Sequence, residues 1–238
     1  MVGIGPGGVL DRTRRAEEAI ARSQVVVGYG PYLEQIVDLT RGKEILSSGM
    51  TREVERCRAA LKRAQEGAIV ALVSSGDPGI YGMAGLALEL AAAEGFTVPI
   101  EIIPGVSSAN AAAAKFGAPL MLDYATVSLS DLLVPWEGIR LRLEAVAAAD
   151  LVLALYNPRS RKREKQLEEA AAILRRHRPG TTPVGIATAV GAEEERLVCS
   201  DLDHFLSEEI GMRSIVLVGN RSSKWVDGRF ITPRGYRV

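Results

Sequence analysis

Residues 69–85, Ile-Val-Ala-Leu-Val-Ser-Ser-Gly-Asp-Pro-Gly-Ile-Tyr-Gly-Met-Ala-Gly, constrain the fold more than any other stretch of the chain. The first five form a short, partly β-branched apolar run that stops at two serines, the pattern of a buried strand. Pro78 sets φ for a tight turn and Gly79 accepts the positive φ that the next position can require. Residues 83–90 then read as a helix packed back on the sheet. A strand that feeds a helix through a small-residue loop is the joint of an α/β protein. Open sheets of that class bind ligands beyond the carboxyl ends of their strands. Gly76, Gly79 and Gly82 leave room for a ligand near the backbone. The same residues also suit a plain strand–turn–helix joint, and the loop alone leaves both readings open.

The rest of the first half repeats the pattern. Val2-Gly3-Ile4-Gly5-Pro6-Gly7-Gly8 reads as a very short strand and a glycine loop. Pro6 interrupts any dinucleotide fingerprint, and no acidic residue follows a second strand at the expected place. Thr13 suits the cap of a helix with Ala16, Ala19 and Ile20 inside, and residues 24–28 form the second strand. Thr51 is the expected cap of a helix running to Gln65. Val54, Cys57, Leu61 and Ala64 line its inner face, and Arg52, Arg56, Arg58, Lys62 and Arg63 its solvated one. Residues 98–103 read as another strand, broken by Pro104-Gly105. Ser107 or Ser108 then caps an alanine-rich helix that Gly117 ends.

A domain connection is expected at 117–120, giving domains of 1–117 and 121–238. In the second, residues 124–129 alternate as a strand and Pro135 opens a helix with Trp136, Ile139, Leu143 and Val146 inside. Residues 151–155 run as a strand into Tyr156-Asn157-Pro158-Arg159-Ser160. Arg161, Lys162 and Arg163 follow as the expected start of a helix, where cations oppose the dipole and an anionic partner would relieve them. Strands at 184–188 and 215–218 end in Ala189-Val190-Gly191 and Gly219-Asn220-Arg221. Asp227-Gly228 marks a hairpin. The reading is thus α/β throughout, with a mainly parallel first sheet and a mixed second one.

Composition removes whole classes of function. Lys and Arg number 29 and so do Asp and Glu, so no global field draws the chain to nucleic acid or a membrane. No apolar run is long enough to span a bilayer and no signal peptide is recognisable, which sets a cytoplasmic expectation. Cys57 and Cys199 form no CxxC, and His177 and His204 have no ligand at metal spacing, so no metal is expected. A Walker loop, nucleophile elbow and HExxH are all missing. What remains is a set of glycine- and serine-rich loops at strand ends in two successive domains.

Those loops resemble the tetrapyrrole methylases, the S-adenosylmethionine-dependent enzymes of corrin and sirohaem synthesis. The family's Gly-x-Gly-Pro-Gly opening stands at Gly3, Gly5, Pro6 and Gly7, its Gly-Asp-Pro loop at Gly76-Asp77-Pro78, and its Pro-Gly-Val-Ser-Ser segment at residues 104–108. Ser75 to Gly85, Ser128 to Trp136, Tyr156 to Ser160 and Gly219 to Arg221 are similar to the precorrin-3B C17-methyltransferase branch. The resemblance covers nearly the whole chain. It implies two αβα domains with the cofactor between them, in a homodimer. It places Gly76, Asp77, Ile80, Tyr81, Ser107 and Ser108 on S-adenosylmethionine from the first domain, and Tyr156, Asn157, Ala189 and Val190 from the second. Gly8 departs from the pattern, standing where the family often has an acidic residue, so no acid/base role is placed there.

The activity implied is methylation of precorrin-3B at C17 with contraction of the macrocycle, or the same step on the cobalt-bearing ring. In-line positioning and exclusion of water would supply much of the methyl-transfer rate, while contraction needs a placed acid or base. Asp131 and Tyr81 are the residues expected there, with Asp77 as a third. Asp77 is also the expected partner of the cofactor's sulfonium or ribose, against the plainer role of capping its own turn, which Asn would fill almost as well. Gly5, Pro6 and Gly7 give a flat floor for the ring, and Arg12, Arg159, Arg161, Lys162 and Arg221 would meet its carboxylates. The rival readings are a methylase of another substrate and a non-catalytic small-molecule binder; turnover of the tetrapyrrole separates both from the main one.

Overall fold

The computed structural model describes residues 1–160 and 163–237. The chain divides into two compact units, residues 1–108 and 109–238.

The first unit is built on a four-stranded sheet of β1 (Val2–Gly3), β2 (Val25–Tyr29), β3 (Glu44–Ser48) and β4 (Val70–Ser74), in the order β1-β4-β2-β3. Every neighbouring pair is parallel. Strand alternation sorts the core onto two faces. Val26, Ala71 and Val73 pack with Ile20 of α1 (Arg14–Arg22) and with Leu33 of α2 (Gly30–Glu34). Val25, Val27 and Leu72 pack with Cys57 and Leu61 of α3 (Glu53–Gln65) and with Ala87 and Leu90 of α4 (Ala84–Glu94). Helices on both faces make this unit a three-layer αβα fold, with all its strands ending at one edge.

Local signals account for most of these joints. Thr13 caps α1 through its Oγ1, which accepts from Ala16 N at 3.1 Å. Gly95 ends α4 in the left-handed conformation at φ 71°. Thr51 does not cap α3. It is left-handed, at φ 64°, inside the turn that leaves β3, and Arg52 takes the cap position. Arg56 is not on the solvated face either: it is 4% exposed. The whole 98–103 stretch is not a strand, since only Ile103 bridges, to Val2 of a β1 too short to support a ladder. Cys57 is fully buried, as its helical spacing predicts, and burial pushes its thiol up to about 11.

In the second unit a five-stranded mixed sheet runs in the order β6-β7-β10-β8-β9. Its strands are β6 (Tyr124–Ser128), β7 (Val152–Tyr156), β8 (Pro183–Thr188), β9 (Arg196–Asp201) and β10 (Ser214–Val218). Only β6 and β7 are parallel; the other pairs are antiparallel. Ile139 and Leu143 of α6 (Trp136–Ala148), with Leu167 and Leu174 of α7 (Lys165–Arg175), cover one face over Leu153, Leu155, Ile186 and Val216. On the other, Phe116 of α5 (Ser108–Phe116) lies where a Cβ on Gly185 would come within 2.9 Å of its ring. Phe116 also meets Trp225, which packs on Phe230. Those two residues belong to the hairpin of β11 (Lys224–Val226) and β12 (Arg229–Ile231), and β12 pairs in parallel with β5 (Gly117–Ala118). The packing of Phe116 explains why the division between units falls at the start of α5 rather than after it. Helix α7 begins at Lys165, so Arg163 precedes it and bridges Ser160 instead.

Candidate functional site

In the first unit the glycine loops after β1 and β4 and the turn at Pro104-Gly105 meet backbone to backbone. Gly76 N donates to Gly5 O at 2.7 Å, and Gly5 N donates back to Gly76 O at 3.3 Å. A Cβ on Gly105 would sit 2.1 Å from Gly76 O, and one on Gly82 would sit 2.5 Å from Pro78 O. Gly82 and Gly105 are therefore demanded by contact between chain segments. Asp77 ties two of these loops together. Its Oδ1 accepts from Gly79 N at 2.8 Å and its Oδ2 from Gly105 N at 3.1 Å. Asn offers one oxygen where this joint uses two, so it is a poorer substitute than the turn alone suggests.

Beside that joint the loop exposes its large side chains. Ile80 is 40% and Tyr81 52% exposed, and Tyr81 holds φ at 52°. Ser107 is buried and Ser108 begins α5. Gly5 is left-handed at φ 77°, with Pro6 and Gly7 half-buried after it. Arg12 is committed within the unit, paired with Asp38 at 2.7 Å and donating to the Gln35 carbonyl. Its guanidinium holds the Asp38 carboxyl below the usual carboxylate range, mainly through that hydrogen bond.

The carboxyl ends of β2, β3 and β4 frame a recess of about 150 Å³ lined by Tyr29, Tyr32, Met50, Arg56, Tyr81 and Met83, among others. Tyr81 is expected at the site from sequence, but periodicity assigns Arg56 to solvent, so Arg56 escapes it. The available signal is the position of Arg56 in the first turn of α3, at the same sheet edge as the glycine loops. A larger apolar cavity of about 570 Å³, lined by Val2, Leu61, Ile69, Ala87 and Ile100, lies toward the opposite ends of β1 and β4. It contains none of the residues expected to bind a ligand.

In the second unit the strand-end loops are again tightly held. Asn157, directly after β7, is left-handed at φ 49°, and its Nδ2 donates to Ser128 Oγ at 2.9 Å. Its carbonyl accepts from Arg163 Nη2 at 2.8 Å. Ala189, directly after β8, has φ 52°, and it and Val190 are buried. The Tyr156 hydroxyl accepts from Ala109 N at 3.1 Å. Asp131 is exposed and accepts from Gln166 at 2.7 Å. Arg221 lies 3.4 Å from Asp150. Among the described residues the buried Nε atoms of Arg159 and Arg163 have no hydrogen-bond partner, so Arg163 joins Arg159 as a cation with donor capacity to spare. Arg161 and Lys162 lie outside the described residues.

Gly5 to Gly7, Gly76 to Tyr81, Asn157, and Ala189 with Val190 thus follow the ends of β1, β4, β7 and β8, while Arg12, Asp131 and Arg221 are bonded to other partners. The groups offered by the first-unit loops are backbone amides, hydroxyls, an aromatic ring and an aspartate already bonded to its own loops.

Comparison with known proteins identifies the family. The profile of the Tetrapyrrole (Corrin/Porphyrin) Methylases matches residues 1–205. A probable cobalt-factor III C(17)-methyltransferase of Salmonella typhimurium is 45% identical over 100% of this chain and 99% of its own length. A cobalt-factor III methyltransferase of Priestia megaterium is 46% identical over the whole chain, which spans only 45% of that longer protein. Among solved structures, the methyltransferase CobJ superimposes with a TM-score of 0.92 at 36% identity, covering 98% of both chains. The chain belongs to the tetrapyrrole methylases.

Proposed function

We propose that the protein is an S-adenosylmethionine-dependent methyltransferase that acts at C17 of a corrin precursor, with ring contraction, in cobalamin biosynthesis. The observation that carries this reading is the full-length identity of 45% to a probable cobalt-factor III C(17)-methyltransferase. That name favours the cobalt-bearing substrate; the motifs similar to the precorrin-3B branch keep the metal-free ring as the second reading. S-adenosylmethionine supplies a methyl group on a sulfonium, which is itself a good leaving group.

The chain's own part is positioning and exclusion of water. Gly76, Asp77, Ile80, Tyr81, Ser107 and Ser108 are assigned to cofactor binding in the first unit, and Tyr156, Asn157, Ala189 and Val190 in the second. The exposed Ile80 and Tyr81 suit an adenine or a macrocycle face, and no lysine or arginine lies in that loop to repel a sulfonium. Gly5, Pro6 and Gly7 are assigned to the ring, and Arg159, Arg161, Lys162 and Arg221 to its carboxylates. Arg12, already paired with Asp38, has less to offer than its sequence position suggests. Tyr81 and Asp131 are assigned the proton transfers of contraction. The reading includes a cytoplasmic homodimer.

Incubation with S-adenosylmethionine and either cobalt-factor III or precorrin-3B tests it. The expected product is heavier by one methyl group and has the altered absorbance of a contracted ring. Tyr81→Phe and Asp131→Asn should each slow contraction more than they weaken binding of S-adenosylhomocysteine. No product from either substrate would refute the assignment.

A further inference from the structure

Arg56 is a buried cation of the first unit that makes no ion pair among the described residues. It is 4% exposed, yet no carboxylate lies within ion-pair distance of it among the described residues. Its Nε donates to Ser48 Oγ at 2.8 Å and its Nη2 to the Gly49 carbonyl at 2.7 Å. Its Nη1 has only the Met83 thioether, at 3.3 Å, and sulfur is a weak acceptor. A guanidinium carries five N–H donors, so these three contacts leave part of its capacity unspent. The Tyr29 ring lies 5.8 Å from its central carbon, which eases the burial of the charge without neutralising it. Burying an ion unpaired is costly, and the surroundings of Arg56 offset that cost only partly.

The cation forms part of the wall of the 150 Å³ recess at the carboxyl edge of the sheet. A water takes up ~30 Å³ in the liquid, so the space equals about five waters. That is too small for a nucleoside and ample for a short acid side chain. Tyr29 and Tyr32 add phenolic O–H donors to the lining. Glu53 also lines the recess, one helical turn before Arg56 and beyond ion-pair distance of it, so the site favours a carboxylate held on the arginine side over a multiply charged phosphate. Tyr81 and Met83 continue the lining into the loop assigned to the cofactor, so the recess adjoins the place assigned to the methyl donor, which the reacting ring must approach.

We propose that this recess takes one carboxylate side chain of the tetrapyrrole, with Arg56 as its charged partner and Tyr29 and Tyr32 beside it. Such a grip at the ring's edge would fix which way round the macrocycle lies, and so which pyrrole carbon is presented. The inference rests on the reading of the protein as a tetrapyrrole methylase.

Its test is the dissociation constant for cobalt-factor III, measured on the full chain in the presence of S-adenosylhomocysteine. Arg56→Gln should weaken that binding at least tenfold and leave the affinity for S-adenosylhomocysteine within twofold. Because Arg56 also holds the Ser48-Gly49 turn, Met50→Glu serves as a second variant. Met50 is 52% exposed, so the change leaves the core intact while placing a like charge in the recess. It too should weaken tetrapyrrole binding at least fivefold, and the loss should shrink as the added carboxyl is protonated at acid pH. Wild-type affinity in both variants, or in Met50→Glu alone should Arg56→Gln fail to fold, would overturn the carboxylate recess and leave the methylase reading standing. Failure of the wild type to bind any tetrapyrrole would overturn both.

Discussion

Asp77→Asn is the substitution that best exposes how the central loop works. Both carboxylate oxygens accept backbone N–H groups, from Gly79 at 2.8 Å and Gly105 at 3.1 Å. Asn can satisfy one of them. Its carbonyl should keep the partly buried Gly105 bond, which turns the amide NH2 toward the Gly79 N–H, donor against donor. A hydrogen bond to a charged group contributes about 1.5–3 kcal/mol. The Gly79 end is exposed and water can replace part of the loss, which points to the lower half of that range. At about 2–4 °C per kcal/mol for a chain of this size, Tm should fall by about 3–8 °C. Scanning calorimetry measures this, and titration with S-adenosylmethionine and S-adenosylhomocysteine supplies the second readout. Both ligands should lose affinity to the same degree, since the loop shifts for both. An unchanged Tm together with a loss confined to S-adenosylmethionine would refute the argument and make Asp77 a partner of the sulfonium.

Three further substitutions test the packing and the ion pairing of the first unit. Gly105→Ala should cost about 3 kcal/mol, read as a lower urea midpoint, because its Cβ would sit 2.1 Å from Gly76 O; Gly85→Ala, in α4 with open space around it, should instead gain about 0.5–1 kcal/mol. Asp38→Asn should cost about 1 kcal/mol at neutral pH, allowing for solvent screening of a half-exposed carboxylate. The Asp38 carboxyl titrates lower in the folded chain than in the unfolded one. Its contribution is therefore present above the ordinary carboxylate range and lost as pH falls through the folded value, so denaturation curves of variant and wild type should converge in acid.

The joints of the fold were legible in sequence because each is a local device. Apolar runs that stop at Ser74-Ser75 or at Tyr156-Asn157, and the Thr13 cap, say where the chain turns whatever lies around it. Edge elements were not legible. β3 has the half-exposed sequence Glu44-Ile45-Leu46-Ser47-Ser48 and becomes a strand only by pairing with β2, and β9 likewise depends on β8. The resemblance supplies the candidate ligand loops but not Arg56. Periodicity puts a charged side chain outside, and only the close approach of Ser48, Gly49 and Met83 turns it inward. The same limit explains the basic run at 161–163. A helix start was expected there, yet the Ser160–Arg163 bridge delays α7 to Lys165, removing the dipole argument for Arg163 while leaving its Nε buried and unpaired.

The glycines and the left-handed residues of the two units reverse the usual expectation about ligand loops. Glycine at a strand end is read as space for a ligand, yet here Gly82 and Gly105 face backbone at distances no side chain tolerates. Their job is to bring loops together. Meanwhile Tyr81, Asn157 and Ala189 hold φ of 52°, 49° and 52°, a region that costs a residue with a Cβ about 1–2 kcal/mol. Asn meets part of that cost through its short polar side chain, and here through the bond to Ser128. Ala189 has no polar side chain to do the same, and glycine would remove the cost at either Tyr81 or Ala189. Strain of this kind persists only where the surrounding structure over-determines the residue. Two of the three follow directly on a strand, and the third stands in the loop after β4, at the edge where an open sheet receives its ligand. The side chains worth keeping at that edge are thus on the strained non-glycine residues, while the glycines set the distance between the loops that carry them.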